Sequence, residues 1–298
     1  MSIIKNLKNY YSKLSSIALP STQRKLLNVG IYASEWVMPR NFPIEDTNKY
    51  VPDLYFDDNL NLNIPNQLAL LEDWGKNNQE LFNILRKDPR INTQFMGRPY
   101  LHNSYYPTPD AEIYGSMILE NKPSKIVEIG SGFSTLIAKS SIKFANLSTE
   151  ITCIDPNPRT DIKLVSDKIH LKFVEELNES EIALDNDSIL FIDSSHICRG
   201  LGDIPFIFCK LIPRLPSGVI VHVHDIFLPY DYPIVYLKRM YTEQYLLYST
   251  LLNSNRYEIL FTSHFMSRNY RKEMQETFGS IVGENNRFFG ASCWFRIK

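Results

Sequence analysis

Four side chains in two short stretches have the types and spacing to hold a cation or move a proton. Asp193 and His196 lie in Phe191-Ile192-Asp193-Ser194-Ser195-His196; His224 and Asp225 close Val221-His222-Val223-His224-Asp225. Paired carboxylates bind metal ions or orient imidazoles, and an imidazole with a pKa near about 6.5 accepts a proton at neutral pH. Each group follows an apolar, β-branched run, so each sits at the end of a strand. Ligands of open α/β sheets bind outside those strand ends. Alternation along the strand puts His222 and His224 on one face, with Val221, Val223 and Asp225 on the other. His222 lies deeper and is expected to be a hydrogen-bonded core histidine. His224, nearer the mouth, stays open between a catalytic and a structural role.

The elements that must carry these groups are organised around Lys125–Thr135, K-I-V-E-I-G-S-G-F-S-T. Ile126, Val127 and Ile129 predict a strand, Gly130-Ser131-Gly132 a tight turn, and Ser134-Thr135 the start of a helix. A dinucleotide loop would carry a third glycine where Thr135 stands, and it would not place an acid such as Glu128 beside a pyrophosphate. A carboxylate there suits a ligand with a cationic amine. Asp155 ends the next strand, Ile151–Ile154, and a carboxylate there can accept both ribose hydroxyls of an adenosine ligand. Asp155-Pro-Asn-Pro would otherwise only cap a turn. The loop with Glu175, after the following strand, is where adenine is expected.

Glu128-Ile-Gly-Ser-Gly resembles the first motif of the class I S-adenosylmethionine-dependent methyltransferases. The continuation Gly132-Phe-Ser-Thr135 resembles the bacterial macrocin-type sugar O-methyltransferases within that class. The resemblance implies S-adenosyl-L-methionine bound by Glu128, Gly130, Ser131, Gly132, Ser134, Thr135 and Asp155. Tyr106 and Asp110 would stand in the pocket wall, because the segment before the first strand of such enzymes folds over the cofactor. It also implies that the strands ending at Asp193 and Asp225 are neighbours, facing one another beside the methionine end. Asp193, His196, His224 and Asp225 are then the catalytic candidates. Macrocin-type enzymes hold Mg²⁺ with such acids, so Asp193 and Asp225 are candidate metal ligands, for Mg²⁺ or another divalent ion. Two points depart from the pattern: Ser194 replaces a usual Gly, and His224 precedes a single Asp225. His224 suits a transition metal better than Mg²⁺. In a metal-free alternative, His196 or His224 is the base. Tyr230, Asp231 and Tyr232 belong to a loop able to line an acceptor site or merely to connect.

Size and composition fit this reading. The chain has 298 residues, 44% of them hydrophobic, enough for one α/β domain and an appendage. A net charge of −1 provides no field for nucleic acid. Cys153, Cys198, Cys209 and Cys293 lack metal or disulfide spacing and read as reduced core thiols of a cytoplasmic protein. No run approaches the roughly 20 apolar residues of a membrane span. Ile3, Leu7, Tyr10, Leu14 and Ile17 with interspersed lysines predict a basic amphipathic helix in residues 1–20. Its apolar face favours docking on its own chain or on a second subunit, leaving a homo-oligomer open, over contact with an anionic membrane surface. A Pro/Asn-rich connection over 34–65 and a helix over 67–86 complete an N-terminal extension, 1–94.

The expected fold is α/β: a Rossmann-like, seven-stranded, mostly parallel sheet with an antiparallel C-terminal hairpin over 95–298. Strands are expected at 125–129, 150–154, 169–174, 188–192, 218–223 and 257–261, with a final strand at 292–297 and helices over 111–121 and 234–252. The expected function is O-methylation of a hydroxyl on a small molecule or glycan. The alternatives are an NAD-type oxidoreductase or epimerase, for which no Tyr-x-x-x-Lys pair is evident, and a non-catalytic protein that keeps the cofactor fold.

Overall fold

A computed structural model describes residues 60–92, 101, 103, 105–158, 161–252, 254–279 and 290–298. All of them belong to one compact unit spanning 51–298. The basic helix expected in residues 1–20, most of the 34–65 connection, and Tyr100 and His102 lie outside the described residues.

Among these residues, in chain order, come α1 (Ile64–Asn77), α2 (Gln79–Lys87), α3 (Asp110–Asn121), β1 (Lys125–Ile129), α4 (Phe133–Phe144), β2 (Glu150–Ile154) and β3 (Lys168–His170). Then follow β4 (Ile189–Ile192), α5 (Asp203–Phe206), β5 (Ile220–His224), α6 (Ile234–Lys238), α7 (Glu243–Leu251), β6 (Tyr257–Thr262), α8 (Ser263–Asn269), α9 (Arg271–Phe278) and β7 (Ser292–Ile297). The seven strands form one sheet in the order β3-β2-β1-β4-β5-β7-β6. β1 to β5 run parallel, and β7 runs antiparallel to both β5 and β6. This is the Rossmann-like sheet expected, with β4 between β1 and β5.

Both faces of the sheet are covered, which is why β4 reads as an unbroken apolar run. Ile189 and Phe191 enter the core made with α1 to α4, while Leu190 and Ile192 enter the core on the opposite face. The helix expected over 67–86 is two helices hinged at Asn78, which packs its side-chain amide on Ser116 at 3.0 Å. Their buried Trp74, Leu81, Phe82 and Leu85 join the same core as the sheet. The helix expected over 234–252 is likewise broken into α6 and α7, with Met240 in the left-handed region at φ 62°. β3 is shorter than expected, ending at His170. Cys153 and Cys293 are buried thiols, whereas Cys198 and Cys209 are exposed, against the expectation of four core cysteines.

Gly130 is the one glycine on which the site's geometry depends. Its φ is 85°, and a Cβ there would lie 1.9 Å from the Asp193 carbonyl oxygen. The loop after β1 therefore passes directly over the end of β4, tied by Asp193 N–H to Ile129 O at 2.8 Å.

Candidate active site

A cleft of about 250 Å³ opens at the carboxyl ends of β1, β2 and β4. Its walls include Gly130 and Ser131 from the first loop, Asp155 to Asn157 after β2, Lys172 to Glu175 after β3, and Asp193 to Ser195 with Arg199 and Asp203 after β4. Four carboxylates (Asp155, Glu175, Asp193, Asp203) stand there against two cations, Lys172 and Arg199. A smaller pocket bounded by Tyr105, Tyr106, Gly132, Phe133 and Ser134 shares Ser131 and Asp193 with the cleft. Tyr105 and Phe133 stack across its mouth, with centroids 5.8 Å apart.

Asp155 is braced where sequence placed it. One oxygen accepts the Ser131 N–H and the other the Asn157 N–H, both at 2.8 Å. Each oxygen keeps a lone pair for a ligand hydroxyl. Asp203 is fixed by Ser195, through its N–H at 2.8 Å and its hydroxyl at 2.7 Å. These contacts outweigh burial and hold its pKa below the ordinary carboxylate value. Glu175 Oε2 is buried without a hydrogen bond among the described residues. Such an atom on the cleft wall costs stability unless a ligand completes it.

Glu128 is not on that wall. It is fully buried beneath the loop, accepting hydrogen bonds from the Tyr114 hydroxyl at 3.0 Å and from Thr135. Burial pushes its pKa up to about 7. Thr135 also accepts the Gly132 N–H at 3.1 Å, so Glu128 and Thr135 shape the loop from below. Asp110, expected to stand in the pocket wall, does not. Pro109 takes the cap position, and the Asp110 carboxylate accepts from Ala291 N–H at 2.8 Å and from the Ser292 hydroxyl. Tyr106 does reach the small pocket, and its hydroxyl lies 3.2 Å from His222 Nε2. His222 is the core histidine expected: burial and the charge of His224 hold its pKa well below the usual value. Tyr230 and Tyr232 pack inward too, and the Tyr232 hydroxyl accepts the Gln244 N–H at 3.0 Å.

The remaining candidates converge. His196 Nε2 lies 3.2 Å from Asp193 Oδ1 and 3.5 Å from Asp225 Oδ2. His224 Nδ1 lies 3.7 Å from both Asp193 and Asp225, and its Nε2 3.7 Å from Asp110. Burial alone would lower both histidine pKa values. The surrounding carboxylates outweigh it and hold both well above the ordinary value, while the histidines hold Asp193 well below its own. His196 and Asp225 adopt left-handed backbone, φ 61° and 55°, which is uncommon outside glycine and concentrates at functional sites.

Asp193, His196 and Asp225 each offer one ligand atom within 4.8 Å of the others. Two carboxylates and an imidazole fit a divalent ion, whereas sequence reasoning points only to the two acids, Asp193 and Asp225. It also missed Glu243, whose Oε2 lies 2.9 Å from His196 Nδ1. The break before α7 brings that residue to the site, and the apolar pattern over 234–252 ran through the break unmarked.

No family model matches the chain. An uncharacterized protein of Archaeoglobus fulgidus is 35% identical over 101 residues, 29% of this chain and 46% of that one, so the chain spans less than half the length of this curated relative. Similar solved structures include a methyltransferase from Podospora anserina bound to SAH, 16% identical, covering 94% of this chain and 98% of that one at a TM-score of 0.40. An O-methyltransferase from Bacillus cereus in complex with SAH is 11% identical, covering 91% and 97%, at a TM-score of 0.39.

Proposed function

We infer that the chain is a class I S-adenosylmethionine-dependent methyltransferase that methylates a hydroxyl of a small molecule or glycan. The observation that carries this is the acidic cleft over the strand ends, running from Glu175 past Asp155 to Asp193 and from there into the carboxylate–histidine cluster. A sulfonium-bearing adenosine gains from that lining, whereas a pyrophosphate would meet four carboxylates. This favours a methyl donor over an NAD-type dinucleotide.

Bound S-adenosylmethionine supplies an electrophilic methyl group, and a divalent ion held by Asp193, His196 and Asp225 would acidify an acceptor hydroxyl beside it. The chain's own residues do the rest. Asp155 accepts from the ribose, and Glu175 Oε2 is open to a donor at the adenine end. Tyr105 and Phe133 cover the small pocket and keep water from the methionine end. Asp193 stands where cleft, pocket and cluster meet, so it aligns acceptor oxygen and methyl group, a geometry of large catalytic value. Half-buried Tyr241 stacks on His196 at 4.4 Å and offers an aromatic surface to a sugar or ring acceptor. The four free thiols support a cytoplasmic setting, and no described helix is long and apolar enough to cross a membrane.

Calorimetric titration with S-adenosylhomocysteine, NAD and divalent ions tests the reading. Binding of the first without the second is expected, and binding of NAD alone would overturn it.

A further inference from the structure

Glu243 is the least economical residue of the cluster if it only fills space. It is fully buried, and its Oε1 makes no hydrogen bond among the described residues. A buried carboxylate with half its acceptor capacity unused destabilises a fold unless its one partner needs it. That partner is His196 Nδ1, at 2.9 Å.

The neighbours of Glu243 act on the same residue. The N–H groups of Thr242 and Glu243 both donate to the His196 carbonyl, at 2.9 and 3.1 Å. The Thr242 hydroxyl accepts the Cys198 N–H at 2.8 Å. The Tyr241 ring lies on the imidazole face, 28° from parallel. Backbone, ring face and one ring nitrogen of His196 are thus all held by three consecutive residues at the start of α7.

We propose that Glu243 is a positioning residue that keeps the proton of His196 on Nδ1 and turns Nε2 into the gap between Asp193 and Asp225. Tyr241 and Thr242 complete the clamp and hold the His196 backbone in its left-handed conformation. An imidazole whose far nitrogen donates to a carboxylate is fixed in tautomer and orientation and becomes a better ligand. The inference rests on the function proposed above, in that the aimed nitrogen serves the methyl-transfer site.

The test compares Glu243→Ala and Glu243→Gln in the full chain. Glutamine can still accept the Nδ1 proton through its amide oxygen, and alanine cannot. Co²⁺ is titrated into each protein and followed by its visible absorption, and the ¹⁵N shifts of His196 are recorded without metal at a pH high enough for the ring to be neutral. Affinity for S-adenosylhomocysteine is measured in parallel. The expected result is a loss of about 10- to 100-fold in Co²⁺ affinity for Glu243→Ala, with Glu243→Gln within about tenfold of the parent. The His196 shifts should report an Nδ1–H form in Glu243→Gln and a tautomer mixture in Glu243→Ala, with S-adenosylhomocysteine affinity unchanged in both. Equal Co²⁺ affinities and identical His196 shifts in all three proteins would overturn the proposal. Failure of the parent to bind S-adenosylhomocysteine would instead strike the methyltransferase reading and leave the tautomer measurement standing.

Discussion

Replacing Glu128 with glutamine isolates the energetic cost of the acid under the glycine loop. The folded protein holds this carboxyl at about 7 against an ordinary 4.5. The unfolded chain releases its proton first, so folding stability falls as pH rises from 4.5 to about 7 and is level on either side. At about 1.4 kcal/mol per unit, the loss is about 3 kcal/mol. Glutamine copies the protonated acid, its oxygen accepting from Tyr114 and its amide donating to Thr135, and it has no charge to lose. Near pH 4.5 the two proteins should have similar stability. By pH 8 the glutamine variant should be the more stable by about 3 kcal/mol. Urea unfolding of both proteins across this range gives the difference directly, and contributions from other titrating groups cancel in the subtraction. A difference that stays flat from pH 4.5 to 8 would show that Glu128 is ionised in the fold, and would refute the burial argument.

The other perturbations address the cleft and the cluster. Asp155→Ala should weaken S-adenosylhomocysteine binding by at least about tenfold in calorimetry, from the loss of charge-assisted hydrogen bonds to the ribose; an unchanged Kd would remove that assignment. Asp193→Asn should abolish methyl transfer while weakening cofactor affinity by less than about tenfold, and retained turnover would contradict its central place. A chelator should stop turnover and added divalent ion restore it; unaffected turnover would remove the metal from the reaction. Gly130→Ala should cost more than about 2 kcal/mol in denaturant unfolding, because the added Cβ meets a carbonyl oxygen at 1.9 Å.

The strands and the Gly130 loop were legible because they rest on local signals: β-branched runs, a tight turn, and an acid at a strand end. Asp155, Asp193, His196 and His224 could be placed for the same reason, since a strand end fixes position to within a residue. Glu128 shows the limit of such reading. Its location was plain, but whether its side chain faces ligand or core depends on Tyr114 and Thr135 closing over it, which is a tertiary fact. Asp110 likewise has the look of a cap, and is instead drawn to Ser292, far along the chain. Glu243 is hidden because the stretch 234–252 is apolar on both sides of the break between α6 and α7, so nothing local shows the turn that delivers it to His196.

The neighbour of β5 on its outer side is β7, which pairs His222 with Trp294 and His224 with Ser292. The strand bearing two histidines of the cluster region is therefore flanked on that side by the segment of the sheet synthesised last. Until residues 292–297 leave the ribosome, β5 has an open flank, Asp110 lacks its hydroxyl partner, and His224 has no finished wall behind it. Assembly of the carboxylate–histidine cluster thus coincides with completion of the sheet. A shortened chain lacking β7 would lose the cluster and the sheet together, not one before the other.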